Sequence, residues 1–247
     1  RKERRGKKMD YKRYLTPWNI IIIGILLYMF FNAGESIGSK FERTLLVMPG
    51  ILIALSFHEF AHAFSAYKLG DPTPKTQNRL SVNPKDHIDL WGFLALVFIG
   101  FGWGKAVEIN SANFKKPRRD QLIVSLSGVT MNLILAVVFS FIYRFFSQAT
   151  GATVFSGGML GYAALIIYYV VSINIVLMVF NLLPIPPLDG FSALTEIFDL
   201  RRYDWYWKVY GKGMLILLIA IVLGIGEKVL FPSVSAIMGW LSYIGHF

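Results

Sequence analysis

The sequence predicts an all-α polytopic membrane protein with about five to six transmembrane helices and one short re-entrant or β-hairpin segment. Of its 247 residues, 55% are hydrophobic and only 16% are charged, a composition typical of membrane proteins. The mean hydropathy is +0.51, and several apolar runs reach the length of roughly 18 residues that favours a membrane span over a core helix. A soluble domain would have to bury all of these runs.

The chain begins with a basic segment, residues 1–17, followed by an apolar run at residues 18–31. A basic flank before an apolar run also fits a signal peptide, but we favour a retained first span because the topology balances with that span in place. One integral membrane domain, residues 18–231, then accounts for most of the chain. The tail, residues 232–247, is short and interrupted by Gly and Ser, so we expect it at the membrane interface.

Four long apolar segments and one short one follow the first run. The short segment, residues 90–104, contains several glycines and cannot reach across a bilayer. It is therefore the predicted re-entrant or β-hairpin segment. The long segments supply the other spans and cover residues 44–67, 121–146, 162–183 and 214–231.

Lysine and arginine are concentrated on one side of this topology. Residues 1–13, 68–85, 105–119 and 201–212 contain 21 of the 25 Lys and Arg residues. Since positive connections stay in the cytoplasm, we expect a multi-pass protein of the cell (plasma) membrane with a cytoplasmic N-terminus. Topology thus accounts for the formal charge of +10, and no nucleic acid partner is expected. The chain has no cysteine, which excludes disulfides, thiolate metal sites and thiol catalysis.

The second apolar segment contains the stretch "LSFHEFAHAF", with His58, Glu59 and His62 inside a predicted span. An H-E-x-x-H pattern on a helix places its two histidines on one face, roughly 5–6 Å apart at Cβ. Both imidazoles can then reach one zinc ion at about 2.0–2.1 Å. Glu59 lies to the side, where it could take a proton from a bound water. Ionisable groups inside a span are costly and mark functional sites.

A catalytic zinc usually has three protein ligands and one water, so two histidines leave one ligand to be found. Asp189 is the best candidate because it follows the stretch "NLLPIPPLDG", whose prolines end a span. Such a break at membrane depth is tolerated only where the chain is buried in protein or lines a wet cavity. His87 and Asp89, on the polar loop, are the alternatives. On the predicted topology, the histidines and Asp189 converge in the cytoplasmic half of the bilayer.

Three ordered motifs together resemble the site-2 proteases, the intramembrane zinc metalloproteases. That family has HExxH on one transmembrane helix, G-x-x-x-N on a later one, and N-x-x-P-x-P-x-L-D-G near the end of another. The similarity covers roughly residues 57–190, over half of the chain, and looks closest to the short microbial branch. The matching stretches in this sequence are "HEFAHA", "SGVTMN" and "NLLPIPPLDG".

The resemblance implies one Zn²⁺ per chain with His58, His62 and Asp189 as ligands and Glu59 as the catalytic acid/base. It also implies that Asn132 lies near the active site and helps to hold substrate or the developing oxyanion. An interhelical hydrogen bond is the structural alternative for Asn132. The chain departs from many members at Val129, where they have proline, and no PDZ or CBS domain is visible in it.

The expected function is zinc-dependent hydrolysis of peptide bonds within or next to transmembrane segments of membrane proteins. The expected partners are a transmembrane-protein substrate and the lipid bilayer, and a regulatory membrane protein would fit the same setting. The predicted hairpin could hold an extended substrate as an added strand. Two other functions stay open. A metal transporter would offer ligands along a path through several helices, and a non-catalytic relative that binds membrane partners need not keep Glu59.

Overall fold

The computed structural model describes residues 37–89, 92, 104–224 and 226–247. The predicted first span at residues 18–31, and almost all of the predicted hairpin at residues 90–104, lie outside the described residues. The helices, in chain order, are α1 Ile37–Lys68, α2 Thr73–Thr76, α3 Pro84–His87, α4 Pro117–Thr150, α5 Gly158–Asn181, α6 Asp189–Phe198, α7 Asp204–Tyr210, α8 Gly213–Val222 and α9 Phe231–Gly245.

Three of the described helices are long and apolar enough to cross a membrane. They are α4, α5 and the part of α1 from Phe41 to Lys68. The pair α7 and α8, bent by 65° at the short break between them, would make a fourth if it is one span. The all-α membrane architecture is therefore confirmed, and three or four spans belong to the part of the chain that the structure describes.

The ends of the long helices follow from local chemistry. Asp120, in the first turn of α4, accepts a hydrogen bond from the Lys116 backbone N–H at 2.9 Å, which satisfies a donor that the helix leaves free. Gly151 ends α4 with φ +70°, a left-handed conformation that costs glycine little. The prolines that follow α5 cannot continue a helix, and the chain resumes helical structure at Asp189.

The helices α1, α4 and α5 pack against one another and form the centre of the fold. Small residues bring their backbones close, as at Gly50 of α1, where a Cβ would lie 2.9 Å from the Tyr169 carbonyl oxygen of α5. Such close approach drives helix association in lipid, where apolar burial gives little advantage. A second packing layer joins α4, α5 and α9 through the fully buried side chains Ala136, Val171, Ile175 and Leu241.

The C-terminal region of the chain is largely helical. The predicted apolar segment at residues 214–231 divides into α8 and a π-helical turn, Gly226–Leu230, with Gly224 at φ +75° between them. The tail itself is the 15-residue helix α9, which packs on α4 and α5. Pro232 stands in its first turn, where a missing N–H costs nothing. The position of this C-terminal tail at the membrane interface stays a prediction.

The end of α1 is fastened to a later extended segment, residues 104–110, through Asp71. The Asp71 carboxylate accepts hydrogen bonds from the Thr73 backbone N–H (3.1 Å) and hydroxyl (2.6 Å), the Asn110 backbone N–H (2.7 Å) and the Asn113 side-chain amide (2.7 Å). Burial raises the pKa of this carboxyl, but these hydrogen bonds outweigh burial and hold the pKa below its ordinary value. Asp71 therefore stabilises this junction as the carboxylate.

Replacing Asp71 with Asn is expected to lower the melting temperature of the protein in detergent at pH 7. The asparagine amide can accept hydrogen bonds only at its oxygen, so the free energy of unfolding is expected to fall by about 1–3 kcal/mol. Because the folded pKa of Asp71 lies below the unfolded value of about 3.9, this stabilisation is present above that pH and is lost as the pH falls through the folded pKa. The difference between the melting temperatures of wild-type and variant protein should shrink accordingly on acidification.

Asp204→Asn, at an exposed carboxylate, is the control. An equal fall in melting temperature in both variants would contradict the role of Asp71.

Candidate metal centre

Two histidines and one aspartate converge between α1 and α6. His58 and His62 lie one turn apart on α1 and are almost completely buried, at 4% and 7% exposure. Their Nε2 atoms are 3.1 Å apart. The Oδ2 atom of Asp189, the first residue of α6, lies 3.2 Å from the His58 Nε2 and 3.3 Å from the His62 Nε2. Three ligand atoms therefore form a nearly equilateral triangle.

The other nitrogen of each histidine is held by α4. The Nδ1 of His58 is 2.7 Å from the Asn132 Oδ1, and the Nδ1 of His62 is 2.8 Å from the Val124 carbonyl oxygen. Both oxygens can only accept, so each Nδ1 carries the hydrogen and each neutral imidazole turns its Nε2 lone pair inward. This arrangement of a donated Nδ1–H and a free Nε2 is the one that metal-binding histidines commonly show.

The triangle needs a cation. Two lone pairs and a carboxylate oxygen face one another, and the Asp189 Oδ2 is buried without a hydrogen-bond donor. A positive charge at this place therefore stabilises the carboxylate.

Zinc fits the donor set and the spacing. Tetrahedral zinc with ligands at about 2.0–2.1 Å places those ligands about 3.3–3.4 Å from one another, close to the observed 3.1–3.3 Å. Two imidazoles and one carboxylate are a known catalytic zinc set, with the fourth position left for water or substrate. Among the described residues, these three are the group of His, Asp and Glu side chains that could hold a metal ion.

The glycine of the middle motif makes room for this triangle. A Cβ at Gly128 would lie 2.5 Å from the His62 Nε2 and 2.6 Å from the His58 Cε1, closer than a carbon atom can approach. Val124, Gly128 and Asn132 are four residues apart, so they line one face of α4. That face bonds both histidines and lets their rings lie against its backbone.

Contacts at both ends of α6 fix the place of Asp189. At the start of α6, a Cβ on Gly190 would collide with the Leu182 carbonyl oxygen, so only glycine permits this approach to the end of α5. At the end of α6, the Arg118 guanidinium of α4 donates to the Glu196 carbonyl at 2.7 Å and to the Ile197 carbonyl at 3.3 Å. Helix C-termini attract such cations. The carboxylate is therefore presented from a helix anchored at two points.

Glu59 is placed beside the triangle and held there by the backbone. Its side chain is 9% exposed, and its Oε2 accepts a hydrogen bond from the Val107 backbone N–H at 2.9 Å. Val107 belongs to the extended segment that Asp71 fastens to α1. The base of the predicted hairpin adjoins this segment, because Ile88 and Gly104 form an antiparallel bridge.

The alternative third ligands are not part of the triangle. The fully buried His87 places its Nε2 2.6 Å from the Ser81 carbonyl oxygen, and Asp89 accepts from the Gly92 backbone N–H at 2.8 Å. Both side chains serve the loop in which they lie. Asp189 is the carboxylate that the fold brings to the histidines.

Asn132 makes an interhelical hydrogen-bond network, the structural alternative to contact with substrate. Its Oδ1 faces His58, and its Nδ2 donates to the Ala54 carbonyl at 3.1 Å and to the Asn174 Oδ1 at 2.9 Å. All its hydrogen-bonding groups are thus engaged within the protein. The geometry supports orientation of His58 by Asn132. A role of Asn132 towards substrate or the developing oxyanion stays a prediction.

Two contributors were not predicted from the sequence. Asn174 is fully buried in the middle of α5, and a polar residue inside a span is a signal that could have identified it. Val124 acts through its backbone carbonyl. No side-chain pattern indicates such a role.

Comparison of the chain with known proteins identifies the same family as the three sequence motifs. A family model described as peptidase family M50 matches residues 158–223. The chain is 35% identical to the protein named "Putative zinc metalloprotease YwhC" of Bacillus subtilis over 196 residues, which is 78% of this chain and 89% of that relative. The chain belongs to peptidase family M50. The resemblance to the site-2 proteases is thereby confirmed.

Two further relatives are named "Putative zinc metalloprotease Rip2". The protein from Mycolicibacterium smegmatis is 35% identical over 157 residues, 61% of this chain and 56% of the relative. That from Mycobacterium tuberculosis is 32% identical over 155 residues, 60% of this chain and 56% of the relative. The M50 chain therefore spans little more than half of the Rip2 proteins. No solved structure matches it.

Gly128→Ala is expected to weaken zinc binding of the M50 chain by at least about tenfold, because the added methyl group displaces both imidazoles. Competition with a chromogenic chelator measures the affinity. Gly239→Ala on α9 is the matched control, since a Cβ there meets nothing within 4 Å. Unchanged affinity in Gly128→Ala would contradict the close packing of α4 against the histidines.

His62→Ala and Asp189→Ala are each expected to lower the zinc content of the purified protein far below one ion per chain, because each removes one of three ligands. Elemental analysis after dialysis against a weak chelator measures the content. His87→Gln is the control and should retain zinc. Equal loss from His87→Gln would show that the metal lies elsewhere.

Proposed function

We propose that this M50 protein is an intramembrane zinc metalloendopeptidase that hydrolyses peptide bonds within or next to transmembrane segments of membrane proteins. The observation that carries this function is the triangle of His58, His62 and Asp189, whose inward-facing lone pairs fit one zinc ion. A zinc ion bound there polarises the scissile carbonyl and lowers the pKa of its water to about 7. Proton transfer and positioning are then carried out by side chains of the protein.

Glu59 is the proposed general base and acid. Its carboxylate follows His58 on α1 and takes the proton of the attacking water, then gives it to the leaving amine. The Val107 N–H binds Oε2, which fixes the plane of the carboxylate and leaves Oε1 for the reaction. Proton transfer by a positioned side chain contributes typically about 10²–10⁴-fold to the rate.

The site lies near one end of the helical bundle. His62 precedes the last residue of α1, Lys68, by six positions, which is about 9 Å along the helix. The basic connections of the described part of the chain, residues 68–85, 105–119 and 201–212, adjoin this end of the bundle. By the positive-inside rule, this supports an active site in the cytoplasmic half of the plasma membrane, with the N-terminus in the cytoplasm.

The short distance to the helix ends also gives water a route. A hydrolytic site in the middle of a bilayer would need a long wet channel, whereas one to two helical turns separate these ligands from the end of α1. The same end of the bundle carries the extended segment that holds Glu59. Substrate that unwinds there would meet the metal, the general base and water together.

The two rival functions predict different features. A transporter would offer further ligand groups along a path, yet within the described ranges a single group of three ligands is found. A non-catalytic relative has no use for a carboxylate held beside the metal, but Glu59 is present and positioned. A transmembrane-protein substrate and a regulatory membrane partner belong to this proposal.

Glu59→Gln is expected to keep zinc at one ion per chain and to reduce cleavage of a single-pass membrane reporter by about 10²-fold or more, because the amide cannot accept the proton. Cleavage is followed in proteoliposomes by the appearance of the reporter fragment. Glu42→Gln, an exposed position near the other end of α1, is the control and should cleave normally. Continued cleavage by Glu59→Gln would overturn the mechanism.

A further inference from the structure

We infer that Asn174 of α5 is a positioning residue for the metal centre, acting through Asn132 to fix the hydrogen of His58 on Nδ1. This inference rests on the zinc ligands of the proposed function. It is carried by one chain of hydrogen bonds between three helices. The chain runs from the Val170 carbonyl to Asn174, from Asn174 to Asn132, and from Asn132 to His58.

Two backbone carbonyls set the direction of this chain. The Val170 carbonyl accepts from the Asn174 Nδ2 at 2.8 Å, and the Ala54 carbonyl accepts from the Asn132 Nδ2 at 3.1 Å. A carbonyl oxygen can only accept, so each carbonyl holds the nitrogen end of one amide towards itself. Asn174 then turns its Oδ1 to Asn132, and Asn132 turns its Oδ1 to His58.

The orientation of Asn132 decides whether His58 can bind a metal. With Oδ1 facing it, the imidazole must place its hydrogen on Nδ1, which leaves the Nε2 lone pair free for zinc. With the amide reversed, Nδ2 would face Nδ1 and the hydrogen would move to Nε2. That hydrogen would occupy the position of the metal. Reversal of the Asn132 amide would therefore place a hydrogen on the His58 Nε2, where it competes directly with zinc.

Asn174 provides what the Ala54 carbonyl alone cannot. Asn132 and Asn174 are both fully buried, and the Asn132 Nδ2 has two hydrogens that need acceptors. The Ala54 carbonyl takes one hydrogen and the Asn174 Oδ1 takes the other. Without Asn174 one hydrogen of the Asn132 amide is left unpaired in an apolar bundle. The orientation that favours metal binding then loses part of its advantage over the flipped one, and the Ala54 carbonyl alone has to maintain it.

The test compares the zinc affinities of wild-type protein and two variants by chelator competition in detergent. Asn174→Leu removes the acceptor and is expected to weaken zinc binding by about tenfold, at the low end of the effect of groups that orient metal ligands. Asn174→Asp is expected to bind zinc nearly as tightly as wild type. Buried among apolar helices, its acid stays neutral, so its carbonyl accepts from Asn132 and its hydroxyl donates to Val170.

Ile175→Ala separates orientation from general damage to the bundle. Ile175 is the fully buried neighbour of Asn174, and its truncation should lower the melting temperature through lost packing without changing zinc affinity. The inference is overturned if Asn174→Leu binds zinc as tightly as wild type, or if Ile175→Ala or Asn174→Asp loses as much affinity as Asn174→Leu.

A spectroscopic measurement tests the inference even if Asn174→Leu does not fold. In zinc-loaded wild-type protein labelled with ¹⁵N-histidine, His58 is expected to bind the metal through Nε2 and carry its hydrogen on Nδ1. Metal binding through Nδ1 would overturn the inference. These readouts do not depend on proteolysis, so cleavage by Glu59→Gln would remove the proposed mechanism while leaving the role of Asn174 to be judged on zinc affinity.

Discussion

The fold is organised around three electron-rich atoms that have to share one cation. The Nε2 atoms of His58 and His62 and the Oδ2 of Asp189 lie 3.1–3.3 Å from one another in a buried place. Left without a positive charge, they would repel one another at a low effective dielectric. Zinc bound by these three atoms is therefore expected to hold α1 and α6 together and to stabilise the folded bundle.

The close approach of α1 and α4 serves this centre. In lipid, helices associate where small residues let backbones meet, and Gly128 gives the histidine rings a flat surface on α4. Val124 and Asn132, one turn to either side, receive the outward Nδ1–H groups. One helix face thus provides both the packing and the outer hydrogen bonds of the site, which explains why glycine and asparagine occur four residues apart in the same motif.

Glu59, the proposed catalytic carboxylate, depends on a different part of the chain. Val107, whose N–H holds Glu59, lies on an extended segment whose far end is fixed by Asp71 through Asn110. The proposed general base is therefore positioned by the loop next to the predicted hairpin, whereas the three proposed metal ligands are positioned by the helical bundle.

The local features of the site could be predicted from the residues alone. A helical period of 3.6 residues places His58 and His62 on one face, prolines end α5 before Asp189, and long apolar runs give the spans. The contacts between separate helices required the folded structure. It shows that Asp189, and not His87 or Asp89, meets the histidines, and that Asn132 bonds His58. It also shows that Asn174 and the Val124 carbonyl take part and that the tail packs as α9. These outcomes depend on which faces of separate helices meet and on the direction of single amide groups. The spacing of residues along one helix predicts neither the contacts between helix faces nor the direction of an amide group.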